Sequence, residues 1–230
     1  MTRSSLAGAI IRSWSYRLVV VFLLTGMVQG CATPEATVKK SQGYYQEGIS
    51  TLDSDKQKSY VSFQKALQVN PQNKEAHYGL GYLLAEKGKW VQAEDHFRAA
   101  LSIDADYSEA HTFLGKVLEG QDRWPEAIRE YRQALTNPLY ATPDLARFHL
   151  GRALAHEGDY QGAMEALEDA LMVTPSNVRP AGAPIHLELG HVYHKLGFER
   201  RAKEALTKVT TLDKNGEYGA AAKELLAKLK

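Results

Sequence analysis

The chain has 230 residues, 24% of them charged and 44% hydrophobic, and its 28 basic and 27 acidic residues leave a formal net charge of +1. A near-neutral chain has no general electrostatic pull on a polyanion, so nucleic-acid binding is not its design. With one cysteine in the whole sequence, no internal disulfide framework is possible either. Residues 1–30 hold Arg3, Arg12 and Arg17 and no acidic residue, and the eleven-residue apolar run Leu18–Val28 follows the last arginine. A charged start and an apolar run well short of the ~20 residues of a membrane span read as an export signal. Without it the chain carries 25 basic and 27 acidic residues.

The signal ends at Val28-Gln29-Gly30-Cys31. This resembles a bacterial lipobox, which implies cleavage before Cys31, acylation of its sulfur and a lipid-anchored protein of the bacterial cell envelope. Two or three acyl chains anchor stably where one does not. Ala32 follows instead of aspartate, and by the same resemblance the lipoprotein is expected in the outer membrane, facing the periplasm. Residues 31–40 are read as the lipidated cysteine and a tether. The stretch Ala32–Lys40, ATPEATVKK, has no apolar period, and extended it spans at most about 30 Å.

From residue 41 a pattern repeats. In the stretch Lys74–Tyr107, Leu80, Leu83 and Leu84 lie on one helical face, Gly88 stops the helix, and Ala93, Phe97, Ala100 and Leu101 lie on a second helical face. Such a hairpin buries too little to stand alone, so copies are expected. Gly81 and Ala93, Gly115 and Ala127, Gly151 and Ala163, and Gly190 and Ala202 are all twelve residues apart, and the alanines follow one another at 34, 36 and 39 residues. Leu80, Leu114, Leu150 and Leu189 precede the glycines, and Phe97, Tyr131, Leu167 and Leu206 come four after the alanines. A less regular first copy holds Tyr44, Gly48, Phe63, Ala66 and Pro71, with one residue missing at its turn. This predicts about five helical hairpins over 41–216. Glycine inside a helix costs about 1 kcal/mol relative to alanine, so these glycines imply close helix approach.

Two joints interrupt the period, Thr136–Thr142 and Thr174–Pro184, the latter with Pro175, Pro180, Gly182 and Pro184. Both read as linkers between hairpins. Asn215-Gly216 marks a turn, and residues 217–230 read as a capping helix, apolar at Ala221, Leu225, Leu226 and Leu229.

The register over residues 41–214 resembles the tetratricopeptide-repeat family. The resemblance implies an all-α fold, a right-handed superhelical solenoid of helix-turn-helix repeats with a C-terminal capping helix. It also implies that first helices line the concave face, with side chains three before and one after each glycine pointing into a groove. Those columns are Tyr45, Tyr78, Thr112, Phe148 and Leu187, and Ile49, Tyr82, Lys116, Arg152 and His191. Tyr45, Ile49, Tyr78, Tyr82 and Phe148 are therefore the expected partner-binding residues, since aromatic side chains facing a groove anchor peptides. Chaperone-binding relatives clamp a C-terminal carboxylate with lysine and asparagine, which Tyr45 and Ile49 cannot do.

Chemistry of other kinds finds no foothold. His77, His111 and His186 recur four before a glycine and read as scaffold positions. His191 and His194 share a helix face without a third ligand, and Tyr160 stands where a zinc-protease motif starting at His156-Glu157 needs its second histidine. With no phosphate loop and no nucleophile elbow, we expect no enzyme, no catalytic or metal site, no cofactor and no small-molecule substrate.

Asn137-Pro138-Leu139-Tyr140-Ala141-Thr142-Pro143, running into Phe148-His149-Leu150-Gly151, resembles the interrepeat joint of the type IV pilus biogenesis lipoproteins, the PilF/PilW/Tgl type of secretin pilotin. That resemblance implies a secretin subunit as protein partner and a role in its assembly or localisation. The alternative is a general envelope scaffold that gathers peptidoglycan enzymes or serves exopolysaccharide export.

Overall fold

The structure, a computed structural model, describes residues 34–173 and 182–229. The signal segment, Cys31 and most of the second joint lie outside the described residues. Eleven helices follow in order: α1 Pro34–Thr51, α2 Lys56–Val69, α3 Lys74–Glu86, α4 Trp90–Ile103, α5 Ser108–Glu119, α6 Trp124–Ala134, α7 Pro143–His156, α8 Tyr160–Val173, α9 Gly182–Lys195, α10 Glu199–Leu212 and α11 Glu217–Lys228. They form five antiparallel pairs and a single terminal helix, an all-α solenoid. First helices of successive pairs touch one another, from α1–α3 to α9–α11, whereas no two second helices do among the described residues. The odd-numbered helices therefore make the inner layer, and the stack curves around them.

What each glycine makes room for is a ring or a leucine from the second helix of its own pair. A Cβ built on Gly48 would lie 2.4 Å from the Phe63 ring, one on Gly115 2.5 Å from the Tyr131 ring, and one on Gly190 2.5 Å from Leu206. Gly81 faces Phe97 and Gly151 faces Leu167 in the same way. The large residue four after each alanine is thus the partner, and Phe63, Phe97, Tyr131 and Leu167 are wholly buried. In the first pair Ser59 takes the alanine slot, and its hydroxyl donates to the Gly48 carbonyl at 2.7 Å.

Turns within four of the five pairs use a left-handed residue, supplied in three of them by Gly88, Gly158 and Gly197 at φ 68, 85 and 79°. In the third pair the slot falls to Asp122 at φ 57°, the one non-glycine residue described with positive φ. Aspartate tolerates this region better than most residues do. Its neighbour Arg123 ties the turn down: the guanidinium reaches Glu126 at 2.7 Å and, in the preceding pair, Glu94 at 2.8 Å. At the other end, Asn73 caps α3 by accepting from the Ala76 N–H at 2.8 Å. Its amide also donates to Ser41 Oγ at 2.9 Å, and Ser41 donates to the Ala66 carbonyl, so one buried chain of bonds joins α1, α2 and α3.

Two expectations need correction. The tether expected over 31–40 is helical from residue 34, because Pro34 sits at the first helical position where its missing N–H and fixed φ fit, with Glu35 beside it in the first turn. Its lack of an apolar period reflects position: α1 has no preceding pair to cover its outer face, and only Ser41 and Gly48 of it are buried. Gly182 and Pro184, read as linker, lie in the first turn of α9, where proline leaves no helical hydrogen bond unmade.

Candidate functional site

The inner layer carries the two expected columns, but they are unequally open. Ile49 is 41% exposed and Tyr45, Tyr82 and Phe148 are half-buried, whereas Thr112 and Leu187 are buried. Thr112 is covered by Tyr140 from the first joint, whose hydroxyl stands 2.9 Å from Thr112 Oγ1. Leu187 packs with Leu206, Val209 and Ala222 beneath the terminal helix. Tyr78 is half covered: its ring meets Phe97, Tyr107 and Phe113 at centroid distances of 5.8, 5.4 and 5.6 Å. It is as much a packing residue as a groove residue. Tyr45 leans on Phe63 at 5.8 Å. Phe148, three pairs further along, carries the Arg152 guanidinium 5.7 Å above its ring. Cys31 lies outside the described residues.

Between the first helices of the second and third pairs lies a cavity of about 250 Å³. Tyr82 and Glu86 of α3, Phe113 and Lys116 of α5, and Trp90 at the start of α4 line it. Tyr82 and Phe113 meet edge to face at 5.5 Å, and the Lys116 ammonium stands 4.7 Å over Phe113. Burial lowers the pKa of Lys116. This is an apolar notch with one cation on its wall, suited to an aromatic or aliphatic side chain of a partner.

Trp90, Phe113, Trp124 and Tyr160 were not among the expected groove residues. A signal existed: Trp90, Trp124 and Tyr160 all stand nine after a glycine, at the first position of a second helix. The two tryptophans reach across to the next pair, to the position five after its glycine. Trp90 lies against Gly120, where a Cβ would meet the indole at 3.0 Å, and Trp124 stacks on His156 at 3.9 Å. In the first pair the same contact is an ion pair, Lys56 to Glu86 at 2.9 Å.

Two of the three scaffold histidines, His77 and His111, are held by hydrogen bonds. His111 Nε2 meets the Ala105 carbonyl at 3.0 Å and its Nδ1 meets Glu130 at 2.7 Å. Both partners are acceptors, so the geometry favours the ring with both nitrogens protonated. Burial works against this charge, but the bonds to Glu130 and Ala105 prevail and the pKa is raised. His77 donates to the Pro71 carbonyl from Nε2 and faces His96 with Nδ1 at 3.1 Å. His77, His96, His149 and His186 are all held below the usual imidazole range, chiefly by burial. Their stability contribution is present above the unfolded value of about 6.5 and is lost as pH falls through the lower folded values. His111 has the opposite sign, contributing fully below about 6.5 and less as pH rises. The melting midpoint is therefore expected to fall between pH 7.5 and pH 5.5. The fall should shrink in His149→Gln and grow in His111→Gln; equal slopes in all three proteins would refute the assignment. His191 and His194 turn to Glu188 at 3.8 Å and Glu199 at 2.9 Å.

A curved row of helical hairpins, with aromatic side chains along its inner layer, defines a protein-interaction scaffold. The chain belongs to the tetratricopeptide-repeat family, which matches it over residues 62–108, 113–180 and 183–215. The structure adds a further pair, α1 and α2, that begins before the matched residues. Among solved structures the fold is similar to PilW, described as a widely conserved type IV pilus biogenesis factor, with 24% identity over 82% of this chain and 88% of that one and a TM-score of 0.70. It is also similar to pilF of Pseudomonas aeruginosa, with 18% identity, 84% and 93% coverage and a TM-score of 0.67. YrrB, described as a tetratricopeptide protein with an unusual peptide-binding site, shows 21% identity, 82% and 98% coverage and a TM-score of 0.62. At these identities the likeness is one of fold. No curated protein matches in sequence. No described helix is long and apolar enough to cross a membrane.

Proposed function

We propose that this chain is an outer-membrane lipoprotein, acylated at Cys31 and facing the periplasm, that assists secretin assembly or localisation in type IV pilus biogenesis. The observation that carries the proposal is the aromatic notch between the first helices of the second and third pairs, open to an incoming side chain at Tyr82, Phe113 and Trp90. The fold shared with PilW and pilF and the lipobox-like end of the signal segment support the same reading. The mechanism is noncovalent. The anchor supplies the membrane address and the groove supplies recognition, and joining the two raises the partner's effective concentration at the bilayer.

Deleting the gene and blotting for heat-resistant secretin multimers tests the proposal. Multimers should disappear and return with the wild-type gene, but not with Cys31→Ala. The variant Tyr45→Ala with Tyr82→Ala should fold normally and capture secretin about tenfold less well or worse. Tyr78 is left intact because its removal would also unpack three neighbouring rings. Normal multimers in the deletion strain, together with altered cell shape, would replace the pilus reading with that of a general envelope scaffold.

A further inference from the structure

A second cavity, of about 360 Å³, lies between the first helices of the fourth and fifth pairs. It repeats the geometry of the first notch with different chemistry. Trp124 and Tyr160, each at the start of a second helix, form aromatic walls, while Arg152, His191 and Lys195 stand around the opening with Glu188 as the one acid in the lining. The Arg152 guanidinium is 3.9 Å from Glu119 and 3.9 Å from Glu188, outside hydrogen-bond range of both. These are long ion pairs, which hold the guanidinium near the opening without using its N–H donors in hydrogen bonds. Lys195 is exposed and makes no ion pair among those found in the described residues. His156, stacked on Trp124, completes the rim.

We infer that this cavity binds an internal acidic segment of a partner polypeptide, with a large apolar side chain between Trp124 and Tyr160 and flanking side-chain carboxylates on Arg152 and Lys195. Charge complementarity selects the occupant. An aliphatic or aromatic side chain fills the walls, and guanidinium donors in a fixed fork match a carboxylate in two-point fashion. The place on the inner curve favours a peptide over a flat lipid surface, which meets protruding cations more readily than recessed ones. This site is separate from the Tyr82–Trp90 notch and does not depend on which partner occupies that notch. A groove with an apolar station at the second and third pairs and a cationic one at the fourth and fifth reads polarity along its ligand, and so fixes the direction in which an extended segment lies.

The test uses the full chain in detergent with Trp14→Phe and Trp90→Phe, which leaves Trp124 as the only indole. The probe is the acetylated and amidated pentapeptide Glu-Glu-Leu-Glu-Glu, with Gln-Gln-Leu-Gln-Gln as its neutral counterpart, so that no terminal carboxylate takes part. Trp124 emission should shift saturably with the acidic peptide, and the neutral peptide should bind at least about tenfold more weakly. Arg152→Gln and Lys195→Gln should each weaken acidic-peptide binding by about tenfold, while Arg200→Gln, on an outward helix with a 90% exposed side chain, should not. Lys195→Gln alters only an exposed side chain, so its result stands even if Arg152→Gln disturbs the fold. Equal binding of the two peptides, no binding of either, or binding indifferent to both cations would overturn the inference. So would binding of anionic phosphatidylglycerol vesicles without binding of the peptide.

Discussion

Tyr131→Ala is expected to destabilise the fold by about 3–5 kcal/mol, the range for emptying a buried aromatic site. The ring is wholly buried, lies flat where a Gly115 Cβ would be and stacks on His149 of the next pair at 5.6 Å. Its hydroxyl donates to Glu119 at 2.7 Å. Tyr131→Phe keeps the ring but removes the short hydrogen bond to Glu119, leaving that largely buried carboxylate only the more distant His149 and Arg152 at 3.7 and 3.9 Å, at a cost of about 1.5–3 kcal/mol. The reciprocal change, Gly115→Leu, pushes a branched side chain into the same ring. Overpacking of about 1–3 kcal/mol exceeds the helix-propensity gain of somewhat under 1 kcal/mol. Denaturant midpoints check all three, and the double change Tyr131→Ala with Gly115→Leu should cost less than the sum of its parts because the new side chain refills the vacated space. Strict additivity would mean that glycine and tyrosine do not share this space.

Removing residues 214–230 should be comparably damaging for a different reason. The terminal helix covers Ala183, Leu187, Leu206 and Val209, with Ala222 wholly buried among them and Leu225, Leu226 and Leu229 packed around. Fully re-exposing Leu187, Leu206 and Val209 costs on the order of 4.5–9 kcal/mol, at about 1.5–3 kcal/mol per side chain. An open end of a solenoid also presents a ready surface to another copy. The truncated chain is expected to elute as oligomers and to melt at lower temperature. A monomer with an unchanged midpoint would show that the fifth pair closes the stack unaided.

The repeating part of the fold was legible because one packing problem recurs. A large side chain on a second helix must lie across the facing first helix, and only glycine permits it, so Gly81, Gly115, Gly151 and Gly190 fall into register. Where the problem is local, the sequence is silent. Nothing in the spacing tells that Tyr140 folds back over Thr112, or that the terminal helix closes over Leu187. Both turn an expected groove position into core. The aromatic residues at the starts of second helices fall outside the two groove columns for a related reason. Trp90 and Trp124 belong to one hairpin by sequence and to the next by contact. The polar run before residue 41 hid a helix because the outermost element of a stack has fewer neighbours to satisfy.

That first helix changes the mechanics of any attachment at Cys31. Only residues 32 and 33 stand between the cysteine and Pro34, a reach of about 7 Å at full extension. Beyond them α1 runs without interruption to Ile49, roughly 22 Å along its axis. The groove is then carried on a mast instead of a leash. Under the proposed acylation of Cys31, its height above the bilayer would be set by a rigid rod, its aim by the tilt of that rod, and its search volume would shrink from a hemisphere to a shell. A partner emerging at one distance from the membrane would meet it, and one emerging much nearer or farther would not.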